Sequence, residues 1–104
     1  MTASERRWTF FTNHGHTLMY LARQPDARVR DIAAGIGITE RATQGILSDL
    51  IRAGYVTATK SGRRNSYRID LDRPFRHPIE AGPTVGDVLT LFAGHPDEAD
   101  VSGP

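Results

Sequence analysis

A chain of 104 residues, 24% of them charged and 38% hydrophobic, has the size and balance of a single globular domain with a modest core. The absence of cysteine excludes thiol catalysis, disulfide bonds and thiolate metal sites, and it is compatible with the reducing cytoplasm, where we expect the protein to act. No apolar run reaches the roughly 20 residues that span a bilayer and no signal-peptide pattern opens the chain, so we expect no membrane partner.

The net charge of +1 hides an uneven distribution of charge along the chain. The segment from Arg28 to Arg68 contains eight basic and three acidic residues, which gives it a net charge of +5. The chain from Gly86 onward contains four acidic residues and neither Lys nor Arg. A basic module beside an acidic tail is typical of a protein that turns one face to phosphate groups, and chance clustering is the alternative.

An N-terminal arm, residues 1–12, contains three aromatic side chains within four positions, Trp8, Phe10 and Phe11. They pack either on the domain's own core or against a partner, because aromatic residues are enriched at interfaces, and we favour the interface. Thr12 or Asn13 can then cap a helix that extends to about Gln24.

The residues Arg28 to Arg30 favour a very short strand. The next stretch, DIAAGIGITERATQGILSDLIR at 31–52, predicts two short helices joined by a tight turn. Gly37 suits the end of the first helix because glycine takes positive φ at low cost. Thr39 can cap the second helix with its hydroxyl, and Glu40 suits the positive helix N-terminus. The predicted buried side of the second helix consists of Ala42, Ile46, Leu47 and Leu50.

Two helices joined in this way form a helix-turn-helix, whose second helix can enter the major groove of DNA. The alternative is a pair of amphipathic helices in an ordinary helical core. The segment that follows favours the first interpretation. Residues 55–60 and 66–70 alternate as strands do, and SGRRN at 61–65 predicts the turn of a β-hairpin between them. The basic and polar side chains on or near the hairpin tip are Lys60, Arg63, Arg64, Asn65 and Arg68.

The C-terminal part of the chain begins with an irregular, proline-containing linker at residues 71–83. A helix is predicted at 84–94, where Thr84 and Asp87 match a short capping box. Residues 95–104 form a predicted disordered acidic tail. The apolar stripe of the helix consists of Val85, Val88, Leu89 and Phe92. This stripe packs either against a second copy of the chain, which we favour, or on the first helix of its own chain.

A helix-turn-helix followed directly by a basic hairpin resembles the small bacterial and archaeal winged helix-turn-helix transcriptional regulators of the MarR/ArsR-like type. The resembling residues are DIAAGIGITERATQGILSDLIRAGYV at 31–56 and GRRNSYRI at 62–69, within a domain of roughly residues 13–70. The resemblance implies an α+β, mainly α fold with a three-helix core and a two-stranded wing, to which the C-terminal helix is added. It also implies a homodimer that binds double-stranded DNA, but it implies neither an operator sequence nor a small-molecule effector.

Arg41 and Gln44 are the best candidates for reading bases, because Arg pairs with guanine and Gln with adenine in bidentate geometry. Glu40 would contact cytosine N4 or only favour the helix dipole. Thr43 contacts DNA or is partly packed. The predicted DNA-binding residues are Thr39, Glu40, Arg41, Thr43, Gln44, Ser48, Lys60, Arg63, Arg64, Asn65 and Arg68. The predicted dimer-interface residues are Trp8, Phe11, Val85, Val88, Leu89 and Phe92.

Gly45 departs from the pattern of similar sequences, which often have a basic residue at this position. Glycine in a helix interior costs about 1 kcal/mol relative to alanine. Either the helix backbone approaches something closely at Gly45, or this protein binds DNA more weakly than its relatives.

No nucleophile motif, phosphate loop or catalytic dyad is visible, so we expect neither an enzyme nor a bound cofactor. The four histidines are His14, His16, His77 and His95. Because His14 and His16 point in different directions on a helix, their spacing predicts no metal site. The alternative function is a winged-helix interaction or assembly module whose basic hairpin touches an acidic protein.

Overall fold

The computed structural model describes residues 8–93 of the chain. The start of the N-terminal arm and the acidic tail predicted at 95–104 therefore lie outside the described residues. Within 8–93, no helix is both long and apolar enough to cross a bilayer. The elements in chain order are α1 (Asn13–Arg23), α2 (Val29–Ile36), α3 (Glu40–Arg52), β1 (Val56–Ser61), β2 (Arg64–Ile69), a short 3₁₀ helix (Pro78–Glu80) and α4 (Val85–Ala93).

The beginnings of the first two helices are set by local hydrogen bonds. Thr12 caps α1, because its hydroxyl oxygen accepts a hydrogen bond from the backbone N–H of Gly15 at 3.3 Å. The prediction of a short strand at 28–30 is wrong. Arg28 is extended, but its backbone N–H donates to the carboxylate of Asp31 at 3.2 Å, and α2 already begins at Val29.

The predicted helix-turn-helix is confirmed in its turn and its cap. Gly37 ends α2 with φ 81°, in the left-handed region that favours glycine, and its N–H donates to the carbonyl of Ala33 at 2.8 Å. Thr39 then caps α3 by accepting a hydrogen bond from the backbone N–H of Ala42 at 3.0 Å. These two residues fix where one helix ends and the next begins, and they present α3 on the surface of the domain.

The two strands form an antiparallel hairpin in which Val56 pairs with Ile69 and Ser61 with Arg64. Its turn is shorter than the predicted segment 61–65, because Gly62 takes φ 65° and allows a two-residue connection. The hairpin, called the wing below, is held against the helices at its base. The side chains that form the core shared by helices and wing are Leu18, Leu21, Ile32, Ile46, Leu47, Leu50, Tyr55, Val56, Tyr67, Val85 and Leu89.

The linker between the wing and α4 folds back along the domain. The hydroxyl of Tyr55 donates to the carbonyl of Pro74 at 2.8 Å, and the backbone N–H of Val85 donates to the carbonyl of Arg73 at 2.9 Å. The predicted capping box of α4 is confirmed, since Thr84 and Asp87 exchange hydrogen bonds of 2.9 and 3.2 Å. As a result, α4 packs against α1.

This packing corrects one prediction about the dimer interface. Val85 is 1% exposed and Leu89 is 6% exposed, so both side chains belong to the core of their own chain. Neither offers surface to a second copy. Val88 is only partly buried, and Phe92 is exposed at the end of the helix. The linker hydrogen bonds, which the apolar spacing of α4 does not reveal, decide which way the stripe faces.

Candidate nucleic-acid interface

The buried side of α3 is formed by residues at positions i, i+3, i+4 and i+7, namely Thr43, Ile46, Leu47 and Leu50. The prediction that Ala42 is buried is wrong, because Ala42 is exposed. Thr43 takes the inward position instead. It is fully buried, and its hydroxyl donates to the carbonyl of Thr39 at 2.9 Å. Thr43 therefore cannot contact DNA, which corrects its assignment as a DNA-binding residue.

The opposite side of α3 is exposed and polar. Arg41, Gly45, Ser48 and Arg52 follow one another at i, i+4, i+7 and i+11, so they lie along one line of the helix, called the outer face below. Gln44 is exposed beside this line. Arg52 donates a hydrogen bond to the hydroxyl of Ser48 at 3.4 Å. A helix exposed in this way can approach a flat or grooved partner along its whole length.

Two further predicted residues lie at the start of α3. Thr39 and Glu40 are both exposed. The hydroxyl oxygen of Thr39 is already an acceptor for the helix cap, and its O–H remains a donor for an anionic group. The N-terminal end of α3 therefore offers hydrogen-bond donors where the helix dipole is positive.

Among the described residues, no acidic side chain pairs with the basic side chains of the outer face and of the wing tip. Within residues 8–93, an ion pair joins Arg73 to Asp70, and the imidazole of His14 contacts the carboxylate of Asp49. The cations of the outer face and of the wing tip form no ion pair within that part of the chain. These cations are Arg41, Arg52, Lys60 and Arg63. Such a set attracts an anionic partner, because its charge is not cancelled at short range.

The wing presents its polar groups on both faces. Lys60 and Asn65 are directly opposite each other in the register, and alternation places them on the face of Val56 and Tyr67. The other face consists of residues such as Arg68, and Arg63 lies in the turn between the strands. Basic groups therefore lie on both faces of the wing, with Lys60 and Arg63 at its tip and Arg68 near its base.

Arg64 has a contact that the sequence did not indicate. Its guanidinium donates a hydrogen bond of 2.9 Å to the backbone carbonyl of Asp26, in the loop between α1 and α2. Close to this contact, the N–H of Tyr67 donates to the carbonyl of Pro25 at 3.0 Å. Arg64 thus fixes the wing to the helical core, whereas Arg63 is exposed at the tip of the wing.

Asp49 is exposed on α3, and its side chain contacts α1. Its carboxylate Oδ2 lies 2.8 Å from Nε2 of His14, across 35 positions of sequence. No local signal in the sequence relates these two residues. No group of three His, Cys, Asp or Glu side chains suited to a metal ion occurs among the described residues.

A second surface lies where the N-terminal arm meets the end of α4, and it is called the aromatic end below. Trp8 and Phe10 are 74% and 87% exposed and stack edge to face, with ring centroids 5.0 Å apart. Phe11 contacts Phe92 in the same geometry at 5.4 Å. Leu91, which the helical spacing did not select, is 74% exposed on α4. The two aromatic pairs and the exposed side chain of Leu91 offer apolar surface of the kind that interfaces cover.

Comparison with known proteins agrees with the arrangement of the helix-turn-helix and the wing. The chain is similar in structure to MepR, described as a transcription regulator of the Staphylococcus aureus multidrug efflux pump MepA, with a TM-score of 0.54 and 18% sequence identity. The alignment covers 98% of this chain and 71% of that chain, and at this identity it shows the fold. No curated protein matches the sequence. The sequence model of the MarR family matches residues 12–64, from the cap of α1 to the start of β2 and thus just over half of the chain. The chain therefore belongs to the MarR family of DNA-binding transcription regulators.

Proposed function

We propose that this protein regulates transcription by binding a specific double-stranded DNA sequence as a homodimer, on a palindromic or nearly palindromic operator. The outer face of α3 is the observation on which this proposal depends. It combines base-reading side chain types with exposed positions on the second helix of a helix-turn-helix, opposite the buried stripe. The proposed setting is the cytoplasm of a prokaryote, where the chromosome is directly accessible.

In the proposed complex, α3 lies in the major groove. Arg41 donates two hydrogen bonds to O6 and N7 of a guanine, and Gln44 pairs with N6 and N7 of an adenine. Ser48 contacts a phosphate or a base, and the N-terminal end of α3, with Thr39 and Glu40, lies beside the sugar–phosphate backbone. Recognition of sequence thus depends mainly on two exposed side chains, one turn apart.

The wing contributes affinity rather than sequence preference in this proposal. Lys60, Arg63 and Arg68 neutralise phosphates beside the bound groove, which releases counterions from the duplex. Asn65 lies at the tip, where it can donate to the backbone or the minor groove. Because Arg64 already holds the wing to the core, the cations around it approach DNA from a fixed position.

The aromatic end supports the homodimer. Its exposed apolar side chains would be covered when two copies meet about a two-fold axis. Trp8, Phe11 and Phe92 remain proposed interface residues, Val88 lies at the margin, and Leu91 joins the proposed interface. Such a dimer would set two α3 helices about one turn of DNA apart, roughly 34 Å.

Selection of bound duplexes from a random pool tests this function. We expect enriched sequences with two half-sites about 10 base pairs apart, and a negative slope of log K against log salt for the selected duplex. A shuffled duplex of equal composition is the control, and it should bind more weakly. Binding without any enrichment would contradict the specific regulator, and absence of binding at low salt would favour a protein-interaction module.

A further inference from the structure

Gly45 occupies the middle of the outer face of α3. It lies four residues after Arg41 and seven before Arg52 on the exposed side of the helix. With a rise of 1.5 Å per residue, these two arginines are about 16 Å apart along the axis. A partner that both arginines hold would therefore lie over Gly45 and Ser48, the two residues between them on the outer face.

Nothing in the described chain requires a glycine at this position. Its φ is not positive, unlike that of Gly37 at the end of α2. Apart from its chain neighbours and the backbone of α3 itself, a Cβ built on Gly45 would meet no atom of the described residues within 4 Å. In contrast, a Cβ on Gly35 in α2 would clash with the ring of Tyr20. The fold therefore requires glycine at positions 35 and 37, whereas nothing in the described residues requires glycine at position 45.

The fold alone would favour another residue at this site. Glycine is the poorest helix former after proline, and alanine is the best. Because a Cβ would have free space here, alanine would stabilise α3 without disturbing a neighbour. The reason for the missing side chain is therefore to be sought outside the described residues, in something that approaches the helix backbone.

We infer that Gly45 is the point at which the edge of a DNA base pair contacts the backbone of α3 directly, and that this contact sets how deeply the helix enters the major groove. This inference rests on the proposed function. A Cβ at position 45 would stand between Arg41 and Arg52 and hold the helix away from the bases. Gly45 is thus a specificity-determining residue, although it has no side chain with which to read a base.

The test compares Gly45→Ala with the wild-type full-length chain. The probe is a fluorescein-labelled duplex that the wild type has selected from a random pool. We expect a higher urea midpoint for the variant, because the helix gains propensity, together with affinity lowered at least tenfold. The slope of log K against log salt should not change, since the substitution removes no charge. Thr90→Ala is the control, because it improves helix propensity on α4, loses only a hydrogen bond to the carbonyl of Gly86 in the same helix, and leaves α3 unaltered.

The possible results separate this inference from the proposed function. A more stable Gly45→Ala variant with wild-type affinity would overturn the inference and leave the proposed function intact. A less stable variant would also overturn it, because some part of the chain would then need the glycine. If the wild type itself binds no duplex in a salt-dependent way, the proposed function fails, and the inference fails with it.

Discussion

Nε2 of His14 lies 2.8 Å from Oδ2 of Asp49, so that a side chain in the first turn of α1 meets one near the end of α3. Both side chains are about half exposed. The contact turns the carboxylate of Asp49 toward α1, to the side of the outer face. It therefore keeps a negative group from facing the phosphates that the proposed complex brings close to α3.

A double-mutant cycle measures this contact. His14→Ala, Asp49→Ala and the double variant should give a coupling free energy of roughly 0.2–1 kcal/mol in urea unfolding, because an exposed pair is screened by solvent. The coupling should decrease in 1 M salt if the imidazole is charged. Additive effects of the two substitutions would show that the two helices are not joined through this pair.

The two neighbouring arginines of the wing should behave differently. Arg63→Ala should flatten the slope of log K against log salt by about 0.9, because one phosphate contact is lost. Arg64→Ala should lower the free energy of unfolding by roughly 0.5–1.5 kcal/mol, since the hydrogen bond to the carbonyl of Asp26 is removed. Arg63→Lys is the control and should keep the slope. Equal slopes for Arg63→Ala and the wild type would mean that the wing tip does not reach the backbone.

Gln44 should contribute to the recognition of a specific DNA sequence and not to the general affinity for DNA. Gln44→Ala is expected to lose about 1–3 kcal/mol of binding free energy on the selected duplex and little on a random duplex. The random duplex serves as the control within the same titration. An equal loss on both would indicate that Gln44 positions the protein on the backbone and does not read a base.

Local chemistry in the sequence was enough to predict the helix-turn-helix. Gly37 and Thr39 have conformational and hydrogen-bonding preferences that act over three or four residues, so the turn and the cap could be placed from the sequence. It was harder to predict from the sequence which side of α3 is buried. Hydropathy selects Ala42, but the inward position is taken by Thr43, which lies four residues before Leu47 and seven before Leu50.

Contacts between distant residues were not predictable in this way. Arg64 and Asp26 are 38 positions apart, and their hydrogen bond depends on how the wing folds back. The orientation of α4 depends on the linker, whose backbone hydrogen bonds to the helix are set by tertiary packing. For the same reason, the four apolar residues of α4 gave the correct helix but not the partner that each side chain contacts.

Two leucines on α4, two residues apart, test the correction to the interface. Leu89 is buried against α1 and Leu91 is 74% exposed. Leu89→Ala should lower the free energy of unfolding by about 2–5 kcal/mol, because it leaves a cavity in the core of the chain. Leu91→Asp should leave the helical circular dichroism signal unchanged and convert the proposed dimer to a monomer, because a charge in a desolvated interface is costly.

Sedimentation at micromolar protein concentration and urea unfolding at one fixed concentration separate the two effects, since the apparent stability of a dimer depends on concentration. Leu91→Ala is the matched control for Leu89→Ala and should change stability by less than about 0.5 kcal/mol when the chain is monomeric. A Leu91→Asp variant that sediments as the wild-type dimer would show that the aromatic end is not the interface. A Leu89→Ala variant as stable as the wild type would show that α4 does not belong to the core. If both results follow the expectation, α4 contacts α1 with one side and its partner with the other, which would couple the spacing of the two α3 helices to the packing of each protomer.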